Sequence, residues 1–88
     1  KNLIICTGRS AESSKSTLEW LFKHNISFAR IYFRRKGDYR PDWIVKEEMW
    51  RDISKSYNIE LIYEDRNQVV RRARALDLKV AQVKYGNY

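Results

Sequence analysis

The sequence has 88 residues, of which 43% are hydrophobic and 33% charged, and its formal net charge is +7. This length predicts one small domain over residues 1–88, and the hydrophobic content is too high for a disordered chain. The apolar runs are only strand-sized, so the sequence predicts no membrane span and no signal peptide. The excess of 18 basic over 11 acidic residues favours a polyanionic partner, usually nucleic acid, over a merely basic surface.

Cysteine content and the first residue bear on the origin of the chain. Cys6 is the single cysteine, so an internal disulfide is impossible and a reducing cytoplasm is expected. The first residue is Lys1 rather than Met, as in a processed product or a piece of a longer protein.

The first predicted strand is the apolar run at residues 3–6, which ends at Thr7-Gly8-Arg9. An unbroken apolar run bounded by glycine is typical of a strand buried on both faces. A serine-rich turn follows, and a helix is predicted over residues 12–24. Three apolar residues at helical spacing form its predicted inner face: Leu18, Leu21 and Phe22.

A second strand is predicted over residues 28–33, followed by a polar loop with Gly37 as its turn signal. Pro41 favours the start of a helix, because the N–H that proline lacks has no partner there in any case. The predicted helix covers residues 42–56. Its predicted buried stripe consists of Val45, Met49 and Ile53.

A third strand is predicted over residues 59–63 and ends at Glu64-Asp65-Arg66, with Asn67 as the N-cap of the next helix. The inner face of that helix is expected to contain Val69, Val70, Ala73 and Leu76. A last strand covers residues 79–83. Alternating strands and helices predict an α/β fold of three layers, with a mostly parallel sheet.

Polar triplets at two strand ends carry the candidate chemistry. Thr7-Gly8-Arg9 offers a hydroxyl, backbone N–H groups and a guanidinium, which suit phosphate, and Glu64-Asp65 offers carboxylates that suit Mg²⁺. Lys46, in the first turns of a helix, can offset charge on a transferring phosphoryl group. Right-handed crossovers keep the carboxyl ends of parallel strands at one edge, so Thr7, Arg9, Lys46 and Asp65 are predicted to converge.

The order of these elements resembles the haloacid dehalogenase superfamily, and the closer resemblance is to the 3′-phosphatase domain of phage polynucleotide kinases. Residues 41–48 (PDWIVKEE) resemble the family's Asp-x-x-x-Lys segment, and residues 63–70 (YEDRNQVV) resemble its acidic motif. Residues 34–38 (RRKGD) resemble the basic loop before the lysine helix. The resemblance covers nearly the whole chain and ends with a native-looking C-terminus at residues 84–88.

The resemblance implies catalytic and substrate-binding roles. Thr7 would hydrogen-bond the transferring phosphoryl group, and Arg9 would contact the substrate phosphate. Lys46 would neutralise charge on that phosphoryl group, with Asp42 orienting the lysine.

The resemblance also implies Mg²⁺ as cofactor and nucleic acid as partner. Asp65 and Glu64 would hold the metal, although Glu64 stands where the family usually has Asp. Arg34 and Arg40 would grip the backbone of DNA or RNA ends. A nucleic acid repair role follows, in the host-cell cytoplasm if a phage encodes the protein.

The family's nucleophile motif, Asp-x-Asp, does not occur in the 88 residues. In the family its first Asp is the nucleophile and its second the general acid/base, on a strand between those that end in Thr7 and Asp65. The resemblance therefore implies a fold whose first catalytic strand is missing, with the nucleophile expected upstream of Lys1. An upstream segment of the same protein, either the nucleophile strand or a kinase domain, is an expected partner. The chain alone is predicted to be inactive.

Two other functions remain open on the sequence. One is a phosphatase of small nucleotides on the same fold. The other, of a different class, is a non-catalytic module derived from the fold that binds nucleic acid or a protein partner. Inhibition by competing oligonucleotide and loss of affinity at raised salt separate the polynucleotide enzyme from the first alternative.

Overall fold

The computed structural model describes residues 2–86, with the backbone alone described for residues 84–86. Of the predicted C-terminus at residues 84–88, residues 87–88 lie outside the described part. The chain divides into two compact units, the first ending at Arg40 and the second beginning at Pro41. Each unit contains a two-stranded parallel sheet, which confirms the α/β class. The single domain over residues 1–88 stays a prediction.

Strands and helices alternate along the chain. Their bounds are β1 (Ile4–Ser10), a 3-10 turn (Ala11–Ser13), α1 (Ser14–Lys23), β2 (Arg30–Arg34), α2 (Asp42–Ile53), β3 (Ile62–Arg66), α3 (Asn67–Ala75) and β4 (Val80–Gly86). Parallel strands require a crossover, and α1 and α3 supply it within their units. Between residues 2 and 86, no helix is both long and apolar enough to cross a membrane.

In the first unit, β1 pairs with β2 in regular register as far as Cys6↔Tyr32, and pairing resumes only at Ser10↔Arg34. The predicted turn at residues 7–9 is therefore an irregular stretch inside a longer strand. Such irregularities re-aim side chains and are common beside functional sites. The second strand begins at Arg30, two residues later than predicted.

Two burial predictions for the first unit were wrong. Ile4, Ile5 and Cys6 are half-buried, because a strand in a two-stranded sheet lacks the neighbours that cover a central parallel strand. On α1 the inward stripe consists of Thr17 and Leu21, one turn apart. The predicted core residues Leu18 and Phe22 lie on its flank and are 41% and 86% exposed.

The core of the second unit lies where α2 and α3 pack together. The predicted stripe of α2 is confirmed, and so is most of the inner face of α3. Buried apolar residues of this core are Val45, Met49, Trp50, Ile53, Val69, Val70 and Ala73. Leu76, predicted for the same face, is only half-buried, since it is the C-cap residue that follows the last helical residue, Ala75.

The third strand and its following helix differ from the prediction in position. β3 covers Ile62–Arg66 rather than residues 59–63, because the polar triplet itself pairs with β4. Register is regular to Glu64↔Gln82 and shifts before Arg66↔Gly86. Asn67 is the first helical residue, and the N-cap position belongs to Arg66.

A charged cluster links α2 to α3 at the edge of the core. Glu47, a buried residue, accepts hydrogen bonds from Arg72 of α3 and from Arg51 one turn further along α2. The Arg72 guanidinium also lies over the Trp43 ring, 5.6 Å from its centroid. The hydrogen bonds from Arg72 and Arg51 lower the pKa of Glu47 from 4.5 to about 2.

Acid stability should depend on Glu47. Because its pKa is lower in the folded chain, the charged carboxylate stabilises the fold above pH 4.5, and that contribution is lost as pH falls towards 2. In Glu47→Gln, the free energy of unfolding should be lower near neutral pH and should change less between pH 4.5 and 2. Urea unfolding followed by circular dichroism across this pH range measures both.

A matched control is Glu19→Gln, which removes an exposed helical carboxylate. The pKa of Asp38 is also held well below its usual range, chiefly by hydrogen bonds from Arg40, and Asp38 is present in all three proteins. Its contribution therefore cancels in the comparison. If the free energy of unfolding fell equally steeply between pH 4.5 and 2 in Glu47→Gln and in the unmodified chain, the assignment of this pH dependence to Glu47 would be wrong.

Candidate phosphoryl-binding site

Lys46 is a buried ammonium near the start of α2. Its Nζ lies 2.9 Å from Glu64 Oε1 and 3.8 Å from Asp42 Oδ2, and its side chain is 9% exposed. A cation in the first turns of a helix meets the positive end of the helix dipole, and burial removes its hydration. The carboxylates of Asp42 and Glu64 offset both costs, so the lysine is held in one orientation.

Glu64 binds Lys46 through one oxygen and the backbone through the other. Its Oε2 accepts hydrogen bonds from the N–H groups of Asp65 at 3.0 Å and Arg66 at 3.1 Å. The side chain therefore turns back over its own strand end and joins that end to α2. Arg66 Nη1 lies 3.7 Å from Asp42 Oδ2, which extends the cluster to a second cation.

The turn that carries Asp65 is fixed from β4. Gln82 Nε2 donates to the Asp65 carbonyl oxygen at 2.9 Å and to Asn67 Oδ1 at 2.7 Å. One amide group thus holds the residues on both sides of the β3–α3 junction. Gln82 belongs to none of the sequence motifs, and its position opposite Glu64 is visible only in the pairing of β3 with β4.

Of the two carboxylates at this turn, Asp65 and Glu64, only one is suited to bind a metal ion directly. Within residues 2–86, no three histidine, cysteine, aspartate or glutamate side chains are grouped to hold an ion. Mg²⁺ typically keeps several waters and takes only one or two protein carboxylates, so Asp65 suits it as one oxygen ligand. Both oxygens of Glu64 already accept hydrogen bonds. Metal ligation by Asp65 and Glu64 stays a prediction.

Thr7 and Arg9 form a compact turn in the first unit. The Thr7 hydroxyl oxygen accepts a hydrogen bond from the Arg9 N–H at 3.1 Å, which leaves its own proton for another acceptor. Arg9 is exposed and reaches Ser16 Oγ at 3.4 Å through Nη2, a long and weak contact. Both groups suit an anion arriving at the carboxyl end of β1.

Arg34 organises the loop that follows β2. Its Nε donates to the Gly8 carbonyl at 3.0 Å, and its Nη1 donates to the carbonyls of Asp38 at 2.9 Å and Arg40 at 2.7 Å. Arg40 in turn forms a two-pronged contact with the Asp38 carboxylate, at 2.9 and 2.8 Å. Both arginines therefore hold the loop in shape, and their contact with a nucleic acid backbone stays a prediction.

The structure brings the predicted residues together in two sets. The second unit contains Asp42, Lys46, Glu64 and Asp65, of which the first three are in direct contact. Thr7, Arg9, Arg34 and Arg40 lie in the first unit, where Arg34 joins the loop to the turn. Convergence of the two sets on one phosphate stays a prediction.

Comparison with known proteins gives one family and two solved structures. The family described as polynucleotide kinase PNKP phosphatase domain matches residues 1–88. Chains in two solved Pnkp1/Rnl/Hen1 structures, one described as an RNA repair complex, are each 35% identical to this chain, with a TM-score of 0.94 over 99% of it. The predicted haloacid dehalogenase-like fold is thereby confirmed. The chain spans only 29% and 31% of those chains.

The buried ion pair of Lys46 and Glu64 should show strong energetic coupling in its contribution to stability. Removing one partner leaves a buried charge uncompensated, at a cost of about 3–5 kcal/mol. Lys46→Met should therefore destabilise the chain by roughly this amount, and Glu64→Gln by less, because glutamine still offers a carbonyl oxygen. The double variant should be less destabilised than the two costs added together. Urea unfolding at neutral pH measures the coupling.

Lys55→Met is the matched control. Lys55 lies 3.9 Å from Asp52 and its side chain is 78% exposed, so this pair should contribute at most about 1 kcal/mol. Costs that simply add in the double variant would show that Lys46 and Glu64 act independently.

Proposed function

The chain belongs to the polynucleotide kinase phosphatase-domain family, as its motifs predicted, and we propose that it supplies the phosphoryl-binding part of a Mg²⁺-dependent 3′-phosphatase acting on DNA or RNA ends. The observation that carries the proposal is the buried Lys46 ammonium. It is held by Glu64 and Asp42 beside the turn that bears Asp65. A lysine fixed in this way stabilises phosphoryl charge without reorganising.

The proposed reaction uses an aspartate nucleophile from outside these 88 residues. Its carboxylate oxygen bonds to phosphorus while the bond from phosphorus to the 3′ oxygen breaks, and a second aspartate protonates the leaving oxygen. Water then hydrolyses the aspartyl phosphate to inorganic phosphate. Both carboxylates correspond to the Asp-x-Asp motif that the sequence lacks.

The proposed work of this chain is to bind and neutralise the phosphoryl group. The Thr7 hydroxyl donates a hydrogen bond to a phosphoryl oxygen, and Arg9 contacts a substrate phosphate. Lys46 offsets the negative charge that builds up around phosphorus, while Glu64 and Asp42 keep its ammonium in place. Fixed donors of this kind act on the transition state more strongly than mobile ones, because their orientation is settled in advance.

Asp65 is the proposed Mg²⁺ ligand of the chain. The bound ion would supply Lewis-acid neutralisation of phosphoryl oxygens. Gln82 would fix the turn from which the carboxylate reaches the metal. Glu64 is proposed to serve Lys46 first, because both of its oxygens already accept hydrogen bonds.

A polynucleotide substrate is favoured over a small nucleotide by the +7 charge and by the basic loop at residues 34–40. Since both similar structures are Pnkp1/Rnl/Hen1 assemblies, we propose an RNA or DNA repair role in the cytoplasm with other segments or subunits as partners.

Phosphate release tests the enzymatic half of the proposal. The 88-residue chain alone should release no phosphate from a 3′-phosphorylated oligonucleotide, because it contains no Asp-x-Asp nucleophile. Supplying an Asp-x-Asp strand segment, fused or in trans, should give Mg²⁺-dependent release. Lys46→Met in the fused protein should lower that rate roughly 100-fold or more.

The matched control in the fused protein is Lys55→Met. Lys55 is an exposed lysine in the turn that follows α2. Its rate should equal that of the unmodified fusion. Metal-dependent release by the 88-residue chain alone, abolished by Asp65→Ala, would overturn the assignment of the nucleophile to another segment.

Salt dependence tests the nucleic-acid half. Binding of single-stranded DNA or RNA should weaken steeply as salt rises, because each phosphate contact releases counterions. Removing two contacts in Arg35→Gln/Lys36→Gln should make the slope of log affinity against log salt shallower by about 1.4. Lys55→Gln should leave the slope unchanged. Binding that is insensitive to salt would contradict the proposed phosphate contacts.

A further inference from the structure

We propose that Tyr39 is a base-stacking residue, which binds a nucleobase of a single-stranded polynucleotide while Arg35 and Lys36 contact its phosphates. This inference rests on the proposed polynucleotide substrate and adds the residue that recognises the base. Tyr39 is 93% exposed, the largest exposed fraction among the large hydrophobic residues for which the structure gives one.

The loop that carries Tyr39 is braced on both sides of it. Arg34 Nη1 binds the carbonyl oxygens of Asp38 and Arg40, the residues immediately before and after the tyrosine. The Asp38 carboxylate also accepts from the Arg40 N–H at 3.2 Å. The backbone at Tyr39 is thus held in place while its ring extends into solvent.

A hydrogen-bonded turn completes the brace. The Asp38 N–H donates to the Arg35 carbonyl at 3.1 Å, and Gly37, the third residue of this turn, has a φ of +77°. That φ suits a type II turn and favours glycine at this position. A rigid loop loses little conformational entropy on binding, so an aromatic ring presented by it is already organised for a flat partner.

Charge on the loop selects the class of partner. Asp38 is engaged by Arg40, which leaves Lys36 and Arg35 as exposed cations three and four residues before Tyr39. Lys36 lies 3.4 Å from Glu12, but both side chains are mostly exposed, so a phosphate can compete for the lysine. An exposed aromatic beside cations is the combination that binds single-stranded nucleic acid through stacking and phosphate contact.

The loop lies beside the phosphoryl-binding turn of the same unit. β1 and β2 are parallel, so their carboxyl ends share one edge, and the Arg34 Nε to Gly8 bond joins the two segments directly. A strand whose terminal phosphate reaches Thr7 would therefore pass within reach of Tyr39. This places the stacked base near the end of the polynucleotide.

The test compares a labelled single-stranded oligonucleotide with an abasic oligomer that carries the same phosphates, by fluorescence anisotropy at low salt. Tyr39→Ala should bind the normal oligonucleotide roughly 5- to 100-fold more weakly, while Tyr39→Phe and Tyr39→Trp should keep its affinity. For the abasic oligomer, Tyr39→Ala and the unmodified chain should bind equally. A 2-aminopurine base should be quenched by the unmodified chain and not by Tyr39→Ala.

Phe22→Ala is the matched control, because Phe22 is an 86% exposed aromatic of the same unit, near the far end of α1. It should leave both affinities unchanged. Equal affinity of Tyr39→Ala and the unmodified chain for the normal oligonucleotide would overturn the stacking role. The proposed function would still stand in that case, provided that binding weakens as salt rises. An equal loss on the abasic oligomer would also overturn it, since stacking needs a base. No binding by the unmodified chain would remove the polynucleotide substrate and, with it, this inference.

Discussion

Local order in the second unit depends on keeping one ammonium charged, buried and close to the positive end of a helix. Lys46 meets that constraint only because Glu64 reaches it from β3 while Asp42 approaches from the same helix. Glutamate suits the task better than a shorter acid would: its side chain spans the distance to Lys46 and still turns back to two backbone N–H groups. The start of α2 and the end of β3 are therefore joined by charge, and these ion pairs help to fix the position of the acidic turn.

Both candidate turns lie where the register of a parallel pair shifts, but the extra residues belong to different strands in the two pairs. In each parallel pair the register is regular up to one residue, Cys6 or Glu64, and then shifts before pairing resumes. In the first pair, Thr7 to Arg9 face a single residue of β2, so they leave the regular alternation of β1 without leaving the strand. In the second pair the extra residues belong to β4, and Asp65 stays in a strand that advances by the regular two residues. A side chain freed from the pleat can be aimed beyond the sheet, while the pairing on either side keeps its backbone fixed. The polar groups of Thr7 to Arg9 are therefore more constrained than they would be in a loop of the same composition.

Periodic features were predictable from the sequence, and features set by distant partners were not. The start of α2 follows from Pro41, and its stripe of Val45, Met49 and Ile53 follows from helical spacing. The position of β3 could not be predicted in this way. A charged residue such as Glu64 indicates the end of a strand, and the sequence does not show that Lys46 pairs with it. The role of Arg34 was equally hidden, since its acceptor at Gly8 is a backbone carbonyl 26 residues away. Motif resemblance supplied the candidate residues, whereas the contacts by which Arg34, Arg40 and Glu64 brace the chain are visible only in the structure.

The bond between Arg34 and Gly8 ties the basic loop at residues 34–40 to the turn at residues 7–9. A loop that gains or loses a residue must still present two carbonyls to the same guanidinium, and that guanidinium is anchored to the turn by its Nε. Related domains should therefore exchange these segments as a linked pair, and a loop grafted alone from a relative would arrive without its anchor. For protein engineering, the transferable unit is the turn, the arginine and the loop together, although they are far apart in the sequence.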